Sequence, residues 1–262
     1  MSRPLALITG ASAGIGQSFA EQLAATGHDL IVVARRRERL EALAQRLGAA
    51  HQSKVEVLVA DLASDAGIDA VAARAAAAPL ALVVNNAGIG GYRRFVELDP
   101  KVADALVAIH IRAVVQVTRA ALPGMVERKQ GSVINVASLL AFSGSATAPF
   151  FPQRAVYAGA KAFLVTFTQV LANELVGTGV QVQVCLPGVI KTEFHEVQGM
   201  DLSKMPRMSP DDLARASLAG LRLGEVVCVP ALEDATASQR IDEANLAVLE
   251  VSRSTTLAAR YR

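Results

Sequence analysis

Tyr157 and Lys161 stand four positions apart in the stretch YAGAK. On a helix that spacing is about one turn, so a lysine ammonium comes close to a tyrosine phenol. A cation there favours phenolate and draws a hydroxyl that ordinarily titrates near about 10 toward the range of a general acid or base. Alone the pair is a weak signal, because such pairs arise on ordinary solvated helices. A second constellation lies near the N-terminus, where Thr9 to Gly16 reads TGASAGIG. Gly10, Gly14 and Gly16 allow a tight turn, close approach of backbone to a pyrophosphate and close helix–strand packing. Ser12, Ala13 and Ile15 complete the loop, and the helix behind it presents its anion-attracting end. No Gly-Lys-Ser/Thr follows, which separates the loop from nucleoside-triphosphate loops.

The elements that hold these residues alternate in period. PLALIT reads as a strand, and Ile15, Phe19 and Leu23 recur every fourth position as a helix. DLIVVAR is a second strand, followed by an amphipathic helix expected to end at Gly48; VEVLVADL is a third strand, and the helix after it stops before Pro79. ALVVNNAG is a fourth strand. A long apolar helix from Pro100 is expected to end or kink at Pro123. GSVINVAS, the YAGAK helix, VQVQVCLPG, a helix capped by Ser209 with Pro210 and two carboxylates in its first turn, and GEVVCVP complete the series. Strands joined by crossover helices cannot form hairpins. The fold class is therefore α/β: one domain over residues 1–262, a doubly wound parallel sheet of about seven strands with helices on both faces. The tail from about Arg253 is polar at first and reads as mobile or as part of an assembly.

At the end of the second strand, where an acidic residue would meet the ribose hydroxyls of NAD, the chain has Arg35, Arg36 and Arg37. Arginine there pairs with a 2′-phosphate, which favours NADP(H) over NAD(H); Arg35 is the first candidate and Arg36 the second.

Composition narrows the function classes. Of 262 residues 52% are hydrophobic and 19% charged, enough for a large core. A net charge of +2 with no basic stripe gives no support to a nucleic-acid or membrane-surface role. No secretory signal is visible, and no apolar run approaches the roughly 20 residues of a membrane span, so a soluble cytoplasmic protein is expected. Cys185 and Cys228 sit in apolar strand-like runs without metal-ligand spacing and read as buried free thiols. His195-Glu196 lacks the second histidine of a zinc-protease pattern, and no metal is expected.

Taken together, TGASAGIG, Asp61-Leu62, Asn85-Asn86-Ala87-Gly88, Ser138, YAGAK and Pro187-Gly188 resemble the short-chain dehydrogenases/reductases in order and spacing over residues 5 to about 195. The resemblance implies a Rossmann-like domain. Asp61 and Leu62 would lie near adenine, and Asn86, Ala87 and Gly88 would support the cofactor. Pro187, Gly188, Val189 and Thr192 would border the nicotinamide amide and pyrophosphate. Ser138 would orient the substrate oxygen, Tyr157 would exchange its proton, and Lys161 would lower the tyrosine pKa and hold the nicotinamide ribose. The implied reaction interconverts a carbonyl and an alcohol on a small molecule. Pairing of the two long helices would give a homodimer or homotetramer.

Two departures stand out. The asparagine that commonly holds a relay water in the fourth helix is matched here by His110, which can hydrogen-bond water or simply pack. Ser138 and Tyr157 are also 19 positions apart, longer than the family's usual spacing, with Ser143 and Ser145 nearer it. Ser138 is preferred because it follows the strand directly. The surplus residues, about GSATAPFFPQ, form an insertion in which Phe150 and Phe151 either line a pocket or pack on the core. A flap over about 189–210 would offer Phe194, Val197, Met200, Leu202, Met205 and Met208 to a hydrophobic substrate. Two other readings stay open: a non-catalytic NADP(H)-binding regulator or scaffold, and an epimerase or dehydratase on the same fold.

Overall fold

The structure is a computed structural model describing residues 3–146, 153–234 and 236–262. Phe150 and Phe151 of the insertion lie outside the described residues. The chain runs β1 (Leu5–Thr9), α1 (Gly14–Ala25), β2 (Asp29–Ala34), α2 (Arg37–His51), β3 (Val55–Val59), α3 (Asp65–Ala76) and β4 (Leu80–Asn85). It continues through α4 (Pro100–Val107), a π-helical turn (Ala108–Arg112), α5 (Ala113–Glu127), β5 (Gly131–Val136), α6 (Ala155–Glu174) and β6 (Val180–Cys185). Then come α7 (Glu193–Val197), α8 (Pro210–Arg222), β7 (Val227–Cys228) and α9 (Thr236–Leu249).

The strands form one seven-stranded sheet in the order β3-β2-β1-β4-β5-β6-β7, and every pairing is parallel. Period-two alternation sorts the apolar side chains to two faces. Leu7, Ile31, Val33, Val83 and Val133 pack with α3 and α5 residues such as Val71, Ala113 and Val117. Ala6, Ile8, Val32, Val84 and Ile134 pack with Phe19 of α1, Leu40 of α2 and Leu213 of α8. The strand order reverses between β1 and β4, the switch point at whose carboxyl ends open α/β sheets bind ligands.

A buried polar chain ties the sheet centre to the helices. The Asn85 amide donates to Thr118 Oγ1 (3.0 Å) and Asn135 Oδ1 (2.9 Å), and the Asn135 amide donates to Thr168 Oγ1 (3.0 Å). Every member is paired, which is the condition under which buried polar groups rigidify rather than destabilise.

Several expected boundaries shift. Gly48 lies inside α2, which runs to His51 and closes on Gln52 at φ 56°. A helical glycine costs only about 1 kcal/mol, less than the last turn recovers by continuing. Pro123 neither ends nor breaks its helix; α5 continues to Glu127 because Ala121 and Met125, on either side, are seated in the core. Proline removes one N–H, and that loss is smaller than the burial it would forfeit. The expectation that no apolar run is long enough for a membrane span is also corrected. Pro100–Glu127 and Ala155–Glu174, with mean hydropathy 1.4, are long and apolar enough, but they pack along the sheet as core helices. Ser209 caps α8 as expected, accepting from Asp212 N at 3.0 Å. Cys185 and Cys228 are buried, free and opposite each other in the β6–β7 register.

Residues 231–262 cluster as a separate unit from 1–230. This unit contains α9 and two short 3-10 turns, and it exposes Leu246, Leu249, Val251 and Tyr261. The tail is thus organised as helix from Thr236, upstream of the polar stretch that begins at about Arg253.

Candidate active site

The glycine loop and the Asn86 loop meet at the switch point. Thr9 Oγ1 accepts from the backbone N–H groups of Asn86 (2.9 Å) and Ala87 (3.0 Å), and the Asn86 amide donates to the Thr9 carbonyl (3.0 Å). Gly10 sits at φ 70°, and a Cβ on it would lie 2.8 Å from Ala87 Cα; one on Gly16 would lie 2.4 Å from the Gly10 carbonyl oxygen. Only glycine permits this approach. Helix α1 begins at Gly14, and its N-cap, Ala13, offers no side-chain cap, so its leading N–H groups are left for an anion. Thr9 is a supporting residue that sequence reasoning passed over, since a threonine at a strand end carries no distinctive pattern.

Arg36, rather than Arg35, is joined to this loop: its Nε and Nη2 donate to Ser12 Oγ at 3.1 and 2.9 Å. Its Nη1 meets Glu193 Oε1 at 2.5 Å, and Arg39 Nη1 meets Glu193 Oε2 at 2.9 Å. A carboxylate therefore already lies between two guanidinium groups, one of them held by Ser12. Such a donor set fits a phosphate, so the residues present fit a phosphorylated dinucleotide. Asp61 is exposed beyond the end of β3, its Oδ1 accepting from Ala63 N at 3.0 Å and its carbonyl from Ser64 N and Oγ. Leu62 is buried beside it. Gly88 faces His110: a Cβ there would lie 2.7 Å from His110 Cε1.

Ser138 follows β5 and starts a 3-10 turn, Leu139–Phe142, its Oγ accepting from Leu140 N at 3.2 Å. Ser143 closes this turn. Arg154 clamps it, donating from Nε to Ser143 Oγ (2.7 Å) and from Nη2 to the Ser143 carbonyl (2.8 Å). Ser143 also donates to the Leu140 carbonyl at 2.7 Å, so it holds the loop, and Ser138 is the serine that meets Tyr157. The Pro187 carbonyl accepts from Leu139 N at 2.9 Å, and Val189 lies on the strap where its carbonyl accepts from Met208 N at 3.2 Å. Gly188 approaches Leu139, whose Cδ1 would be 3.6 Å from a Cβ placed there.

Tyr157 and Lys161 project from α6 and are both buried. Lys161 Nζ lies 5.6 Å from the Tyr157 ring centroid and donates to the Val136 carbonyl at 2.8 Å. Tyr92 and Ser138 are the polar neighbours of the Tyr157 hydroxyl. Burial, then Tyr92, pushes this phenol well above its ordinary value, with only Ser138 pulling the other way. Burial draws Lys161 down to about 7. The expected lowering of Tyr157 by Lys161 is therefore reversed in this geometry. A desolvated ammonium that itself tends to neutrality stabilises a phenolate less than the apolar surroundings penalise it. Tyr157 is held as a protonated acid.

Tyr92 was not anticipated. It arrives on the loop after β4, its ring centroid 5.3 Å from that of Tyr157, and burial pushes its own phenol up to about 12. Phe194 of α7 adds a third ring, 6.2 Å from Tyr157 and 6.4 Å from Tyr92. Of the other flap residues, Met208 packs partly against the core, Met200 and Leu202 are half-buried, and Val197 and Met205 are exposed. Thr192 caps α7, accepting from Phe194 N at 3.3 Å, and lies against Gly14.

His110 is turned inward by the π-helical turn, a local insertion that sequence periodicity does not announce. Its Nε2 lies 2.8 Å from the Ile89 carbonyl, a donor geometry that leaves Nδ1 as a lone-pair acceptor. Nδ1 is buried and has no partner among the described residues, and the ring stands edge-on to Tyr157 at 5.4 Å. Burial, reinforced by the Lys161 charge and opposed by the Ile89 carbonyl, holds His110 well below its ordinary pKa and so neutral.

The short chain dehydrogenase family model matches residues 4–202. An uncharacterized oxidoreductase of Myxococcus xanthus (strain DK1622) is 37% identical over 195 residues, 74% of this chain and 75% of that protein. The very-long-chain 3-oxoacyl-CoA reductase of Homo sapiens is 29% identical over 218 residues, 81% of this chain and 67% of that one. Among solved structures, a short-chain dehydrogenase from Sphingobium yanoikuyae in complex with NADPH superimposes with a TM-score of 0.92 at 34% identity, covering 98% of this chain and 100% of that chain. The bulky-bulky ketone specific alcohol dehydrogenase from Comamonas testosteroni gives 0.89 at 29% identity, covering 100% and 99%. With the family model spanning most of the chain and the paired loops at the switch point, the protein belongs to the short-chain dehydrogenase family of oxidoreductases.

Proposed function

We propose that the protein is an NADPH-dependent reductase of a hydrophobic ketone or aldehyde, also able to run the reverse oxidation of the alcohol. The observation that carries the reading is the convergence of Ser138, at the end of β5, with Tyr157 and Lys161 of α6, where burial keeps the Tyr157 phenol protonated. A bound nicotinamide dinucleotide supplies the hydride. Ser138 donates to the carbonyl oxygen and orients it, and Tyr157 delivers the proton that the developing alkoxide requires. Lys161, braced by the Val136 carbonyl, holds the ribose side and takes part in returning a proton to Tyr157. Gly10, Ser12, Ala13, Gly14, Ile15 and Gly16 would hold the pyrophosphate, Asp61 and Leu62 the adenine, and Asn86, Ala87, Gly88, Pro187, Gly188, Val189 and Thr192 the nicotinamide half. The rings of Tyr92 and Phe194 around Tyr157 support an apolar substrate. So does similarity to an alcohol dehydrogenase specific for bulky ketones.

The test is cofactor oxidation across a panel of aryl, alkyl and polar ketones with NADPH and NADH. Apolar ketones are expected to turn over, with kcat/KM at least about tenfold higher for NADPH. That preference should collapse in Arg36→Asp, which replaces attraction for the 2′-phosphate by repulsion. Equal use of both cofactors, or a ratio unmoved by the substitution, defeats the NADPH reading. Turnover confined to polar substrates defeats the choice of substrate.

His110 belongs to the same reading as a positioning residue, its bare Nδ1 accepting from a water that links Lys161 and Tyr157 to bulk solvent. In His110→Asn, kcat is expected to fall on the order of tenfold while NADPH affinity stays unchanged, a modest part of the usual acid–base contribution. An unaltered kcat and pH profile would remove His110 from the mechanism.

A further inference from the structure

The geometry points to Glu193 as an internal occupant of the anion site at Arg36 and Arg39, competing with the 2′-phosphate of the cofactor and coupling its arrival to movement of the flap. This inference rests on the NADPH reading above. Four observations meet at one segment. The Glu193 carboxylate spans two guanidinium groups, one oxygen on each, and burial, which would raise its pKa, is outweighed by the hydrogen bonds from Arg39 and Arg36 that hold it below the usual carboxylate value. The residue before it, Thr192, fills the space over Gly14, where a Cβ would lie 2.8 Å from Thr192 Cγ2. The residue after it, Phe194, lies against both Tyr157 and Tyr92. Gln198 then covers Gly90, its side chain standing where a Cβ would be. The closed flap therefore spans from the phosphate end of the site to the catalytic tyrosine.

Each nitrogen of Arg36 already has one partner in this arrangement. Its Nε and Nη2 are directed to Ser12 and its Nη1 to Glu193. A phosphate entering here must take the place of the carboxylate, because two anions on one pair of cations repel. Release of Glu193 frees the first residue of α7, and Phe194 is the next. A dinucleotide without the 2′-phosphate makes no such demand. Arg39, which sequence reasoning did not single out, thereby becomes part of the cofactor-selecting set, one turn into α2 from Arg36.

The experiment uses nucleotides that carry no hydride, so it reads binding and not turnover. Adenosine 2′,5′-bisphosphate and 5′-AMP are titrated by calorimetry into the wild type and Glu193→Gln, with amide hydrogen exchange followed over residues 192–198. The variant is expected to bind the bisphosphate about threefold to tenfold tighter, the range set by releasing a partly exposed ion pair, with 5′-AMP unaffected. In the wild type the bisphosphate, but not 5′-AMP, should speed exchange in the flap, and in the variant exchange should already be fast. Equal wild-type affinity for the two nucleotides would sink the NADPH reading and this inference with it. Wild-type discrimination with no gain in Glu193→Gln, an equal gain for both nucleotides, or flap exchange indifferent to the bisphosphate would overturn the role of Glu193 alone.

Discussion

Tyr157→Phe is expected to reduce kcat by about a thousandfold while NADPH still binds, because the substitution removes one proton and leaves the cofactor cradle intact. The phenol is buried, protonated and placed between Ser138 and Tyr92. Phenylalanine keeps the ring and its edge-on contacts with Tyr92 and His110, so packing survives. What is lost is the acid. Tyr92 is no substitute, since its own phenol is pushed up to about 12 and it approaches as a neighbour of Tyr157, off α6. The check is a single-turnover rate alongside a fluorescence titration of NADPH. A loss of less than about tenfold would mean that another group delivers the proton, and a matching loss of NADPH affinity would mean that Tyr157 is structural.

Lys161→Met is expected to stabilise the protein near neutral pH while abolishing turnover. Burial lowers Lys161 from 10.5 to about 7, so between those values the unfolded chain binds a proton that the folded chain has shed. Where the unfolded state binds more protons, stability rises with pH. The penalty for burying this lysine is thus fully present below about pH 7 and is relieved as pH climbs toward 10.5. Methionine carries no such penalty and forfeits one hydrogen bond, that to the Val136 carbonyl. The net gain should be roughly 2–4 kcal/mol at pH 6 and should fade by about pH 10. Urea unfolding of both proteins across that pH span reads it. A difference that stays constant with pH would show that Lys161 is not desolvated as its surroundings imply. The trade of stability for a charged group at a reacting centre is common in active sites.

Much of the site was legible in the chain because its signals are local. The glycine loop announces itself by three glycines between a strand pattern and a helix pattern. Two of them, Gly10 and Gly16, prove to be positions where a Cβ would strike backbone. Ser138 was distinguishable from Ser143 by standing at a strand end, and the structure engages Ser143 with Arg154 instead. Tyr157 and Lys161 share a helix face through spacing alone. Tyr92 was invisible because a loop residue acquires its neighbours only when the loop folds over β4. The inward turn of His110 depends on a π-helical insertion that leaves no mark in periodicity. The direction of the Tyr157 shift was not legible for a related reason: spacing reports proximity to a cation, whereas the pKa depends on how much water has been excluded around both groups.

Arg36 and Glu193 mark the division most sharply. Residue order alone established the α/β alternation, the glycine loop, the cationic end of β2 and the placing of Tyr157 and Lys161 on one helix face, because each arises from periodicity or from contacts within a few positions of chain. Contacts between residues far apart settled which arginine serves the loop, what already neutralises it and which rings surround the acid. Glu193 is more than 150 positions from Arg36. No local pattern encodes a contact of that kind; it exists once the sheet has brought the ends of β2 and β6 to one edge.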